Sequence, residues 1–175
     1  MKNRTLAAMT AIAALAVALP LAAERGDDSK RKSKNGRLEA TIDGVETVVE
    51  YGRPKVQGRT IWGGLVPYGQ VWRTGADEAT TVSFAAPVLV EGEELPAGTY
   101  ALFTIPNEDA WTVIFHRQAK QWGAYKYDAA QDALRVEVTP EPAEATEELT
   151  FAAEDAGLVL RWAELAVPIG VRAKA

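Results

Sequence analysis

Residues 58–81, GRTIWGGLVPYGQVWRTGADEATT, hold Trp62, Tyr68, Trp72, Arg59 and Arg73, with two adjacent carboxylates, Asp77 and Glu78; Arg53 stands just before them, between Gly52 and Pro54. A guanidinium forks onto carboxylate or phosphate in a bidentate way, so Arg53, Arg59 and Arg73 could converge on an anionic ligand. Equally, an arginine inside a glycine-rich loop can donate to the carbonyls that irregular backbone leaves unpaired. Trp62, Tyr68 and Trp72 could offer a stacking platform to a sugar ring, or plug the end of a core. Asp77 and Glu78 resemble an acid/base pair, which would make the protein a hydrolase of an envelope glycan. Neighbours on an extended chain point to opposite faces, however, so at most one of them would line a given site. Their structural alternative is ion pairing with Arg73 or Arg59.

Other chemistries find less support. His116 is the single histidine, so a zinc site of the two- or three-histidine type or a serine triad would have to use it. Asp128, Asp132 and the run Asn107, Glu108, Asp109 could supply oxygen ligands to calcium, but no calcium-loop signature surrounds them. Phosphate-cradling glycine motifs, HExxH and a nucleophile elbow are all missing. The expectation is therefore no cofactor and no metal, and a small anionic or carbohydrate ligand if there is a ligand at all.

The elements that must position these residues read as strands. Gly58, Gly63, Gly64, Gly69 and Gly75 deny regular structure to most of residues 52–77, apart from a faint helical pattern over 65–72. The apolar side chains Ile61, Trp62, Leu65, Val66, Tyr68, Val71 and Trp72 require that this long loop pack on something. On either side, runs of period two predict half-buried strands. LEATIDGVETVVEY forms two strands around an Asp43-Gly44 hairpin turn, with Val45, Thr47, Val49 and Tyr51 on the core face. ATTVSFAA, VLVEGEEL, TYALFTI, WTVIFHR, ALRVEVT, ELTFAAE, GLVLRWAEL and VPIGVRA follow, separated by turn formers and by the acidic PEPAEATEE. In LPAGTY the spacing of Leu95, Gly98 and Tyr100 predicts a tyrosine corner, its hydroxyl bonded to backbone a few residues upstream. Together these predict an all-β fold: an antiparallel β-sandwich, of Greek-key connectivity, with one long ordered loop.

Along the chain, residues 1–23 carry Lys2 and Arg4, an uncharged Ala/Leu run and a small-residue PLAAE end, the pattern of a cleaved secretory signal peptide; the alternative is an uncleaved membrane anchor, which the many alanines and Pro20 would make weak. Residues 24–37 are a basic spacer expected to be disordered, or else a tether to envelope polyanions: RGDDSKRKSKNGR has six basic and two acidic side chains and nothing apolar. Residues 38–175 form one domain, with 47% hydrophobic residues in the whole chain to build its core. Removing the leader's two cations leaves 17 basic against 24 acidic residues, 17 − 24 = −7, which disfavours nucleic acid and anionic membrane as partners of the folded part. The absence of cysteine rules out disulfides and a lipid-anchored cysteine. The expected location is periplasmic or secreted.

YGRPKVQGRTIWGGLVPYGQVWRTGADEATT, followed in register by VEGEELPAGTYALFTIP and WTVIFH, resembles the domain of unknown function family 2911, a group of exported bacterial proteins. The resemblance runs from about Val45 to Val171. It implies the fold and export but no activity, ligand or catalytic residue. The residues themselves support a non-catalytic binding or envelope-associated domain with a ligand site within residues 52–80. The alternatives are a glycan hydrolase using Glu78 or Asp77, and a pure structural scaffold.

Overall fold

A computed structural model describes residues 25–155 and 157–174; the leader expected over residues 1–23 lies outside them. Two antiparallel sheets pack face to face as a sandwich. The strands are β1 (Lys34–Ile42), β2 (Val45–Arg53), β3 (Thr80–Phe84), β4 (Val88–Val90), β5 (Glu93–Leu95), β6 (Gly98–Ile105), β7 (Trp111–His116), β8 (Asp132–Val138), β9 (Glu141–Glu154) and β10 (Gly157–Ala173). The first sheet runs β1-β2-β3-β6-β7-β8 and the second β5-β4-β10-β9. The chain leaves the first sheet after β3, forms the β4–β5 hairpin in the second, and returns as β6 beside β3.

Local chemistry accounts for most of these elements. Asp43 and Gly44 both adopt positive φ, 48° and 81°, and pair Ile42 with Val45 in a two-residue hairpin of primed type. Val45, Thr47, Val49 and Tyr51 are buried as the alternation predicts; Val48 and Glu50 on the opposite face are buried too. Glu50 is paired there with Arg37 of β1 at 2.5 Å, and further along the same sheet the loops cover its outer face. Ala79, Ala101, Phe103 and Ile114 form a second small core there, with Val71, Ala124 and Tyr127 packed on it.

The tyrosine corner is present, with the Tyr100 hydroxyl donating to the Pro96 carbonyl at 2.9 Å. Tyr51 ties the two sheets together: its hydroxyl accepts from the Phe151 amide at 3.2 Å, and the two rings meet edge to face at 4.9 Å.

Several boundaries differ from expectation. VLVEGEEL is a hairpin, β4 and β5, because Glu91 and Gly92 take φ of 49° and 87°. GLVLRWAEL and VPIGVRA are a single strand, β10, irregular around Ala163. All of the acidic PEPAEATEE but its first proline is part of β9, whose backbone pairs with β10; Glu148 meets Arg53 and Lys55, while Glu141 and Glu144 face water. The segment over 65–72 is not helical.

The supposed spacer also differs. β1 begins at Lys34, and residues 25–33 are bonded to the domain. Nothing apolar holds this segment. Charge-assisted hydrogen bonds do, which composition alone does not reveal.

Candidate functional site

The long loop docks by continuing the ladder and by burying indoles. Trp72 exchanges two backbone hydrogen bonds with Thr104 of β6, at 2.8 and 2.9 Å, just beyond the point where β3 stops pairing. Trp62 and Trp72 come from the loop, Trp111 from β7 in the first sheet and Trp162 from β10 in the second. These four indoles form one cluster. Trp62 meets Trp111 edge to face at 4.8 Å and Trp162 at 5.7 Å, while Trp72 stacks on Trp162 at 5.9 Å. The loop aromatics are therefore core plugs, with two exceptions to the expected burial: Leu65 and Tyr68 are exposed.

The turn over residues 73–80 is heavily constrained. Thr74 is β-branched yet has φ of 55°, a strained conformation for its type. Its wholly buried side chain bonds to Thr104 Oγ1 at 3.1 Å, its carbonyl accepts from the Thr80 hydroxyl at 2.7 Å, and the Thr80 amide donates to the Arg73 carbonyl at 3.1 Å. Backbone also packs on backbone, because Gly52 of β2 lies against Ala76 and Gly75 lies against Gly52. Such strain persists only where the surroundings over-determine it. Here it fixes the backbone that carries Arg73, Asp77 and Glu78.

Asp77 and Glu78 line different clefts, although both approach Arg31. Asp77 lines a cleft of about 760 Å³, together with Lys32, Lys55, Arg59, Arg73, Trp72 and Trp162 among others. Glu78 lines a smaller one with Arg25, Gln121 and Trp122.

The ion pairs differ from those expected. Glu78 is bound by Arg25 at 3.0 Å and bidentately by Arg31, and Asp77 lies 3.9 Å from Arg31; neither carboxylate pairs with Arg73 or Arg59. The Arg31 hydrogen bonds hold the Glu78 carboxyl below its ordinary range, against the opposing effect of partial burial. Arg25 also donates to the Ala76 carbonyl at 2.7 Å and to the Asn35 side chain at 3.1 Å; burial lowers its own pKa.

Because its folded-state pKa is lowered, Glu78 contributes stability that is fully present above its ordinary value of 4.5 and is lost as pH falls through the folded value. Wild-type unfolding free energy should therefore fall on acidification below about pH 4.5, and Glu78→Gln should be destabilised at neutral pH with a flatter acid limb. Denaturant melts across that range test this. Parallel curves for the two proteins would contradict it.

Of the remaining candidates, Arg53 pairs with Glu148 at 2.6 Å and is not in the cleft lining, and Arg59 donates to the backbone carbonyls of Val56 and Lys55. Arg73 is different. It has no salt bridge and no side-chain hydrogen bond among the described residues; its Nε, like that of Arg53, is buried without a partner. The indole N–H of Trp162, also on the cleft wall, is likewise buried and unpartnered.

His116 is wholly buried, and both ring nitrogens are used: Nδ1 accepts from the Gln118 amide and the Gln121 side chain, leaving Nε2 to donate to the Asp128 carbonyl, each at 3.1 Å. Asp128 caps a short 3₁₀ turn, and Asp132 binds Tyr127 and Arg135. Among the described residues no group of three or more His, Cys, Asp or Glu is placed to hold a metal ion.

Sequence reasoning missed Arg25, Arg31 and Lys32, because a polar charge run carries no periodicity. It missed Trp162 because that residue lies on a strand 90 positions from Trp72. The fold and site define an all-β sandwich domain whose glycine-rich loop walls a cleft rich in cations. The chain belongs to the family described as Protein of unknown function (DUF2911), whose model matches residues 33–171. No curated protein and no solved structure matches it.

Proposed function

We propose that this is an exported, non-catalytic binding domain that takes a small anionic ligand bearing a ring, such as a sugar acid, in the cleft beside Arg73. The observation that carries the reading is the Arg73 guanidinium, whose buried Nε has no partner and which has no carboxylate within salt-bridge range among the described residues. A charge held partly out of water without a counter-charge costs stability, and an anion arriving there would offset that cost. Lys32, Lys55 and Arg59 share the cleft wall with a single lining carboxylate, Asp77, and Lys55 is already paired with Glu148. The edge of Trp72, 9% exposed, and the side chains of Leu65 and Val66 supply the cleft's apolar wall, and its size falls within the usual range for ligand sites. The secretory pattern of residues 1–23 supports action outside the cytoplasm.

The hydrolase reading is less favoured because a general acid needs a raised pKa, and Glu78 has a lowered one. A pure scaffold would gain nothing from an unpaired arginine.

The test is thermal shift of the domain with galacturonate, inorganic phosphate and neutral galactose. At ten times Kd, a ligand of the folded state adds about 1.4 kcal/mol, a rise of roughly 3–6 °C. One or both anions should produce it, galactose should not, and Arg73→Ala should abolish it while its own melting temperature stays level or rises. No rise with either anion, or a rise that survives Arg73→Ala, would remove the proposal.

A further inference from the structure

We propose that the second cleft, on the Glu78 side of the turn, is a stacking subsite for a pyranose ring of a glycan, with the Trp122 indole as its platform. The cleft measures about 260 Å³ and is lined by Arg25, Glu78, Thr81, Lys120, Gln121 and Trp122, among others. Trp122 is 60% exposed, whereas Trp72, Trp111 and Trp162 are 9% exposed or less. Its indole lies on the wall of a concavity, where a ligand ring could cover the aromatic face.

The backbone that carries the platform is held in place. The Ala79 amide donates to the Gln121 carbonyl at 2.9 Å and the Gly123 amide to the Asp77 carbonyl at 3.0 Å, so backbone on both sides of Trp122 is pinned to the 76–79 turn. The Gln121 side chain is pinned as well, donating to the Gln118 carbonyl at 2.8 Å and to His116 Nδ1. This gives a structural purpose to the buried histidine: it anchors the loop that presents the indole. A pre-organised platform loses little freedom when a ligand arrives.

The rest of the lining suits a ring that is apolar on its C–H face and polar at its edge. Thr81, Glu78 and Lys120 line the same cleft; the Glu78 carboxylate is held by Arg25 and Arg31, whereas Lys120 has no salt bridge among the described residues. Tyr125, 87% exposed, lies over Gly123, next to Trp122 in the chain but outside the cleft lining. A bilayer fits less well, since the indole is set in a concavity and the chain's net charge is −5. This subsite uses different residues from the Arg73 cleft and does not depend on it.

The test uses the tryptophan indole N–H resonances of the isotope-labelled protein, titrated with chitotriose, maltotriose and trigalacturonate. The Trp122 signal is assigned by its loss in Trp122→Phe. At least one trisaccharide should shift that signal. Its affinity should fall about tenfold in Trp122→Ala, be partly kept in Trp122→Phe, and be unchanged in Arg73→Ala. Trp122 is exposed, so both Trp122 variants should melt with the wild type, which separates lost stacking from lost folding. A silent Trp122 resonance with all three sugars, equal affinity in Trp122→Ala, or binding abolished by Arg73→Ala would each overturn the proposal.

Discussion

Replacing Trp162 with alanine should cost about 3–5 kcal/mol of unfolding free energy, the range for a fully buried large aromatic. Trp162 is 1% exposed and stands where three parts of the chain meet. It is contributed by β10 of the second sheet, stacks on Trp72 at 5.9 Å and meets Trp62 edge to face at 5.7 Å; Trp62 in turn reaches Trp111 of the first sheet. Removing it leaves a cavity between the sheets and withdraws the surface on which the long loop rests. Neighbouring tryptophans cannot collapse into the gap without leaving their own partners, so little of the loss would be recovered. Urea unfolding followed by fluorescence measures the effect, with Trp122→Ala as the comparison. That exposed indole should cost no more than about 0.5 kcal/mol. A Trp162→Ala loss under about 1 kcal/mol would mean that the cluster is not the core that fixes the loop.

The second large effect is expected at Gly52. An alanine Cβ there would stand 2.3 Å from the Ala76 carbonyl oxygen and 3.0 Å from its carbon. Both are backbone atoms, so no rotamer change relieves the clash, and β2 must part from the 74–78 turn. Arg25 would lose its 2.7 Å bond to the same carbonyl, and Arg73 would move with the turn. We expect Gly52→Ala to cost about 3 kcal/mol, at the upper end for overpacking, and to abolish any anion response of the Arg73 cleft.

Gly58→Ala is the control. A Cβ at Gly58 meets nothing within 4 Å, so its cost comes from φ of +67° alone, about 1 kcal/mol. Equal stability of the two variants would show that close approach at Gly52 is not what joins the YGRP and WRTGA blocks. The two blocks are far apart in sequence order, yet their glycines, Gly52 and Gly75, lie backbone to backbone.

The sequence by itself determined those features whose cause is local. Alternation of apolar residues specifies strands, because successive side chains face opposite ways. Asp43-Gly44 specifies a hairpin because both positions need positive φ, and LPAGTY specifies the Tyr100 corner because its bond spans only four residues. The same logic does not reach Asp77 and Glu78, which line different clefts because they sit in a turn where Asp77 has φ of 62° and not on an extended strand.

Tertiary structure alone decided which charges meet and which indoles cluster. Glu78 binds Arg31 from 47 positions earlier, and a charge run has no periodicity from which such a partner can be read. Trp162 joins Trp62 and Trp72 because sheet packing brings β10 beneath the loop, a contact that no pattern within either segment records. Arg73 differs from Arg53 and Arg59 for the same reason. All three read alike in the sequence, but only the fold supplies Glu148 to one and backbone carbonyls to another, leaving Arg73 facing a cleft.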